Sequence, residues 1–203
     1  MSDTLDLQKS RGRPREFDTE AALDAAMALF IERGYAAAAI SDLGEAMGLT
    51  AGSIYKAFGD KRGVFAAALD RYTSTRDLRI ADHLNEAATG RERLRRLIDY
   101  YAGNSHGESG RRGCLVIGSA RDLALFDPDL QARIENAVSV RESLILDVIR
   151  DGQSDGSIPV HVDAEATAKA MLCLLYGMRV IGKTGRSEAE MQAIAATAMK
   201  LLD

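Results

Sequence analysis

Cysteine is nearly absent from this chain of 203 residues, which holds only Cys114 and Cys173. No Cys-x-x-Cys pair or Cys/His cluster accompanies them, so neither a disulfide scaffold nor a zinc site is expected. The three histidines, His83, His106 and His161, are scattered. There is no phosphate loop, no metal-ligand spacing and no recognisable nucleophile–base set, so the usual signatures of an enzyme are missing. No apolar run approaches the roughly 18 residues of a membrane-spanning helix. The opening stretch MSDTLDLQKSRGRPREFD is polar and carries acids, so it does not read as a secretory signal. A reduced, cytoplasmic protein without metal or cofactor is the expectation. Positive charge is also in short supply. The formal net charge is −4, and residues 1–62 hold eight Lys/Arg against ten Asp/Glu. A nucleic-acid role must therefore rest on where the cations sit, not on their number.

Proline is rare too, with three in all, each outside the long periodic runs. No alternating run of β-branched residues and no internal repeat appears, while Ala, Leu, Arg and Glu, all good helix formers, dominate. Hydrophobic residues make up 46%, enough for a real core and too many for a disordered chain. The pattern is all-α, with about nine helices. From Thr19, Leu23, Met27 and Phe30 recur at helical spacing, and Gly34 fits a left-handed helix end. Ser41 is a candidate N-cap for a two-turn helix ending at Met47-Gly48. Thr50 caps the next short helix, with Leu49 and Ile54 at hydrophobic-staple spacing. Gly59-Asp60 ends it and starts a longer helix through Phe65, Leu69 and Tyr72 toward Leu84.

Two such short helices are marginal alone in water. Joined by a tight Gly-containing turn and leaning on the helix from Thr19, they form a helix-turn-helix module. Leu43, Met47 and Ile54 would pack between them, with Gly44 at the close approach. The stretch AALDAAMALFIERGYAAAAISDLGEAMGLTAGSIYKAFGDKRGVF, residues 21–65, resembles the DNA-binding domain of the TetR family of transcriptional regulators. The likeness runs through Leu29-Phe30, Gly34-Tyr35, Ile40-x-Asp42-Leu43, Gly48-Leu49-Thr50, Gly52-Ser53-Ile54-Tyr55-x-x-Phe58 and Lys61. The rest of the chain is similar only in helical character and length. The resemblance implies a ligand-responsive repressor, not an enzyme, that binds a pseudo-palindromic double-stranded operator as a homodimer.

It also implies DNA contacts at Ser41, Thr50, Ala51, Ser53, Tyr55, Lys56 and Lys61. Thr50 and Ser53 start the recognition helix, where hydroxyls and free amides can hold a phosphate. Tyr55 matches the family's phosphate-bonding aromatic, Lys56 should project outward, and Lys61 matches the family's phosphate-binding lysine. Arg62 would add positive potential. Ala38 and Ala39 stand where the family often carries hydroxyls, so contacts are missing there. The segment KSRGRPREFD, with Lys9, Arg11, Arg13 and Arg15 around Gly12 and Pro14, resembles an AT-hook core. Such arginines suit the narrow, strongly negative minor groove of A·T tracts.

The expected organisation is a basic arm over residues 1–18, a helix-turn-helix domain over 19–65, and an effector-binding and dimerisation domain over 66–203. Residues 104–113 read as a Gly-rich loop and residues 114–126 as one helix. The segment 164–183 is apolar almost all round, so both sides should be buried, one of them in a partner chain. Ala168 and Gly177 would permit close helix approach there, and the resemblance implies a two-fold interface made by the last two helices. Tyr100, Cys114, Ile117, Phe126, Met171 and Tyr176 are candidate liners of a pocket for a mostly apolar small molecule. Cys114 follows Arg111-Arg112-Gly113 at a helix start, which would lower a thiol pKa, so a thiol-based electrophile or redox sensor is an alternative. A helical enzyme or a protein-binding adaptor is the remaining alternative.

Overall fold

The computed structural model describes residues 17–203. The arm residues Lys9, Arg11, Arg13 and Arg15 lie outside them. Among the described residues there are ten α-helices and no strand. The all-α expectation holds, and the nine expected helices are joined by one more.

The first helix, α1 (Thr19–Ala37), starts where Asp18 accepts the amide protons of Glu20 and Ala21, and it kinks at Gly34, whose φ is 79°. Helix α2 spans Ile40–Met47 and α3 spans Ala51–Phe58. Between them Gly48 takes the left-handed conformation (φ 65°), which glycine adopts without steric penalty. The turn is tight because the Leu49 amide donates to the Gly44 carbonyl at 2.9 Å. A Cβ on Gly44 would stand 2.9 Å from the Leu49 carbonyl oxygen, so this is the close approach that the small residue permits. The N-cap of α2 is Ala39, with Asp42 accepting its amide at 3.0 Å. Ser41, expected to be the cap, instead lies inside the first turn and is exposed. The helix starts one residue before Ser41, at Ile40, where the Asp42 carboxylate holds the Ala39 amide.

Helix α4 (Lys61–Leu84) and helix α8 (Pro128–Ser154) are the two long elements. Between them run α5 (Gly90–Gly103), α6 (Gly107–Arg112), α7 (Leu115–Arg121) and a 3-10 turn at Leu123–Leu125. Helices α9 (Ala164–Ile181) and α10 (Glu188–Ala198) complete the chain. Helix α6 lies in the stretch expected to be a loop. Its glycines lower local propensity, but tertiary packing overrides that. A Cβ on Gly110 would meet the Ser105 backbone at 2.7 Å, and one on Gly182 would meet it at 2.3 Å. Three backbone segments therefore press together at a point where only glycine fits. The single helix expected over residues 114–126 breaks into α7 and the 3-10 turn.

Two apolar cores form. One joins α1–α4 to Leu115 and Val116 of α7 and to Phe126, Leu130, Ile134 and Ala137 around the start of α8. The other joins the second half of α4 to α5, the later turns of α8, α9 and α10. Helices α4 and α8 pass through both, so the N-terminal head and the body share continuous rods. No helix among the described residues is long and apolar enough to cross a membrane.

Candidate nucleic-acid interface and effector cavity

Helix α3 is the exposed member of the head. Ile54 is its only fully buried side chain, while Ala51, Gly52, Tyr55, Lys56 and Ala57 face solvent. Tyr55 is 51% exposed, so its ring is not part of the core. Thr50 caps α3 by accepting the Ser53 amide at 3.2 Å, and the two hydroxyls lie 2.9 Å apart. One hydroxyl proton is spent inside that pair and the other stays available. Lys56 makes no ion pair among the described residues, so its charge is uncompensated on this face.

Lys61 is engaged elsewhere. Its ammonium donates to the carbonyls of Tyr35 at 3.0 Å and Ala38 at 3.0 Å, with Ala36 at 3.5 Å. It also sits 4.6 Å from the centre of the Tyr35 ring. The last carbonyls of a helix need partners, and α1 ends here after its kink. Lys61 is thus a clamp from α4 onto the end of α1. In the free chain these carbonyls hold the ammonium that was expected on a phosphate. Arg62 is also committed: it makes a fork onto Asp127 at 2.6 and 3.0 Å and reaches Asp129 at 2.7 Å. Its guanidinium holds the Asp127 carboxyl down at about 2, aided by the backbone amides of the α8 cap. The added positive potential expected from Arg62 is neutralised by this pair.

The Arg62 fork ties the start of α4 to the start of α8. An aromatic cluster repeats the tie. Phe126 lies 5.0 Å from Phe65 and 4.9 Å from Tyr35, and Phe30 meets Phe65 edge-on at 5.1 Å. Phe126 was expected in a pocket, but it anchors head to body, since its position before the α8 cap aims it at the head core. Arg71 adds a third tie, from α4 to Asp24 and Glu20 of α1. It holds the Asp24 carboxyl below its ordinary range.

Behind the head lies a cavity of about 320 Å³. Its walls are Met27, Ala28 and Ile31 of α1, Tyr72, Arg76 and Arg79 of α4, Tyr100 and Tyr101 of α5, and Cys114 and Arg179 on the far side. The size is that of a small-molecule site. Two of the six expected liners, Tyr100 and Cys114, are there. Met171 is fully buried in the body core instead. Tyr176 sits behind Tyr101, with rings 6.4 Å apart, and Ile117 lies half-exposed on α7 away from the cavity. Met171 and Tyr176 pack into the body core rather than line the cavity. Sequence reading missed Met27, Ile31, Tyr72, Arg76, Tyr101 and Arg179. Burial pushes the Tyr72 and Tyr101 phenols up, so both stay protonated donors. The Tyr72 hydroxyl donates to Cys114 Sγ at 3.1 Å. Arg112, expected to activate that thiol, pairs with Glu108 instead.

A helix-turn-helix head clamped to a helical body that encloses a cavity defines a DNA-binding regulator. Residues 22–68 match the family described as bacterial regulatory proteins, tetR family. Residues 90–198 match the tetracyclin repressor-like C-terminal domain. The HTH-type transcriptional repressor ComR of Escherichia coli (strain K12) is 32% identical over 199 residues, covering 96% of this chain and 93% of that protein. The HTH-type transcriptional repressor BdcR of the same strain is 27% identical over 187 residues, covering 92% and 90%. Among solved structures, a cysteine mutant of the TetR family regulator CifR, complexed with 26-bp double-strand operator DNA, superposes with a TM-score of 0.84. It is 29% identical and covers 95% of this chain and 100% of its own. The chain belongs to the tetR family of bacterial regulatory proteins. Its relatives are transcriptional regulators and not enzymes, which sets aside the enzyme and adaptor alternatives.

Proposed function

We propose that this chain is a cytoplasmic, small-molecule-responsive repressor that grips a pseudo-palindromic operator as a homodimer. Residues 19–65 act as the reading head and residues 66–203 as the sensing and dimerising body. The observation that carries the reading is the cavity wall: α1 of the head and α4, which enters both cores, line it together with α5 and α9. A ligand there touches the head directly. It shifts the operator equilibrium only through better binding to the DNA-free arrangement.

At the DNA, Tyr55, Thr50, Ser53 and the exposed Ser41 supply neutral donors to phosphates, and Ala51 lets the start of α3 approach closely. Lys56 is the cation of the helix, and Arg11, Arg13 and Arg15 of the arm supply minor-groove charge. Phosphate contacts fix the register, while base contacts specify it.

The second copy covers α9 and α10. Along α9, Ala166, Ala170, Cys173, Gly177 and Val180 form a stripe open to solvent in the single chain, with Val180 53% exposed. Nothing stands within 4 Å of a Cβ on Gly177, so a neighbouring helix has room there. Ala168 faces its own core. Leu201, after α10, is a further exposed apolar side chain, at 42% exposure. Two heads on one two-fold axis read half-sites about 34–36 Å apart. Sedimentation of the free protein and its operator complex tests this. Two chains per operator are expected, and Val180→Glu should yield monomers that lose the operator. A Val180→Glu protein that stays dimeric would refute the interface.

A further inference from the structure

Three guanidiniums lie inside the body: Arg76 and Arg179, each 8% exposed, and Arg141, 1% exposed. A buried charge needs an opposite charge or a full set of hydrogen bonds. Two of these share one carboxylate. Asp77 accepts from Arg76 Nε at 3.2 Å and from an Arg141 terminal nitrogen. Arg179 meets no carboxylate among the described residues; it donates to the carbonyl of Gly113. Arg76 Nη2, Arg179 Nη1 and the Tyr101 hydroxyl have no hydrogen-bond partner among the described residues. All three residues line the same cavity. Its other ionisable liners do not correct the imbalance. Arg79 adds another cation at the exposed side, Arg112 is paired with Glu108, and the one acid among the described liners, Asp24, is already held by Arg71.

From these unpartnered donors we propose that the effector is an organic anion: a carboxylate carried on an apolar body of roughly aromatic size. The inference rests on the reading of the cavity as an effector site. The carboxylate oxygens take the free N–H groups of Arg76 and Arg179 and the Tyr101 hydroxyl. Charge-assisted bonds of this kind are the strong ones, and guanidinium geometry matches a carboxylate. The body rests on Met27 and Ile31 of α1 and on the Tyr72 and Tyr100 rings. Arg76 belongs to α4, and Arg179 belongs to α9, which also carries the dimer stripe. One bound carboxylate therefore links the rod that enters the head to the helix that meets the partner, while its body presses on α1.

The test uses the full-length protein and matched pairs of probes: benzoate with benzamide, 1-naphthoate with 1-naphthamide, and decanoate with decanamide. Thermal unfolding and operator anisotropy are read for each. At least one carboxylate should raise Tm saturably and release the operator, while its amide does neither. Arg76→Met should weaken that carboxylate by about tenfold or more, and Arg76→Lys should restore part of the loss, as a charge contact requires. Arg179→Met repeats the test from the other wall of the cavity. Equal response to acid and amide overturns the anion assignment and leaves the effector cavity standing. A carboxylate that raises Tm in the wild type alone but leaves the operator bound upholds the anion site and overturns its role in induction. No response to any carboxylate, or an equal response in wild type and both methionine variants, overturns the inference.

Discussion

Replacing Lys61 by methionine separates two accounts of the same residue. In the structure the ammonium makes two bonds of 3.0 Å to carbonyls at the end of α1, a longer one of 3.5 Å, and a ring contact at 4.6 Å. Hydrogen bonds to a charged group contribute roughly 1.5–3 kcal/mol each, and a partly exposed cation–π contact about 0.5–1 kcal/mol. These contributions share one ammonium, and the half-buried carbonyls regain some water, so they do not add. A net loss of about 2–3 kcal/mol is expected. For a chain of this length each kcal/mol moves Tm by about 2–4 °C, so Lys61→Met should melt roughly 5–10 °C lower. The assay pairs calorimetric melting with operator binding across a salt series. The clamp predicts a lower Tm and an unchanged slope of log K against log salt at temperatures where the variant is folded. An unchanged Tm with a slope shallower by about 0.9 would mean a lost phosphate contact, and would refute the reasoning.

Tyr55→Phe should leave Tm unchanged and weaken all operators alike, by about 1 kcal/mol or fivefold, as measured by anisotropy on matched and mismatched DNA. Deleting residues 1–15 should lower affinity and flatten the salt slope by up to about 0.9 for each lost contact, most of all on A·T-rich flanks. Arg62→Gln should be destabilising at neutral pH. Asp127 titrates at about 2 in the folded chain, below its ordinary value of 3.8. Its ion pair therefore contributes fully above the ordinary value, and the contribution is lost as pH falls through about 2. The Tm gap between wild type and Arg62→Gln should accordingly close over that window, as read from melts between neutral and acid pH.

The head was legible because its signals are local. Gly34, Gly48 and Gly59 mark the ends, Thr50 caps α3, and Leu43, Met47 and Ile54 occupy the buried faces. The Lys61 clamp was not legible because motif position names a residue and not its partner. Its carbonyls lie 23 to 26 residues away, on a helix end whose geometry depends on the kink at Gly34. Helix α6 was missed because glycine content argues for a loop, while the packing of Gly110 and Gly182 on Ser105 is tertiary. The cavity was misplaced for a related reason. Apolar residues such as Met171 and Phe126 look like liners in the sequence, but they fill the two cores. The informative signal lay in the cations. Arg76 interrupts the stripe Leu69, Tyr72, Ile80, Leu84; Arg141 interrupts Ile134, Ala137, Ile145, Val148; and Arg179 ends Ala168, Leu172, Leu175. A charged residue in core register on three helices marks an interior that needs something besides hydrocarbon.

Selection of binding sites from random double-stranded DNA, using the purified full-length protein, tests the central claim most directly. The account predicts enrichment of two related half-sites in inverted orientation, centred about one helical turn or a multiple apart, bound by two chains. A single asymmetric motif bound by one chain, or no enrichment at all, would contradict it.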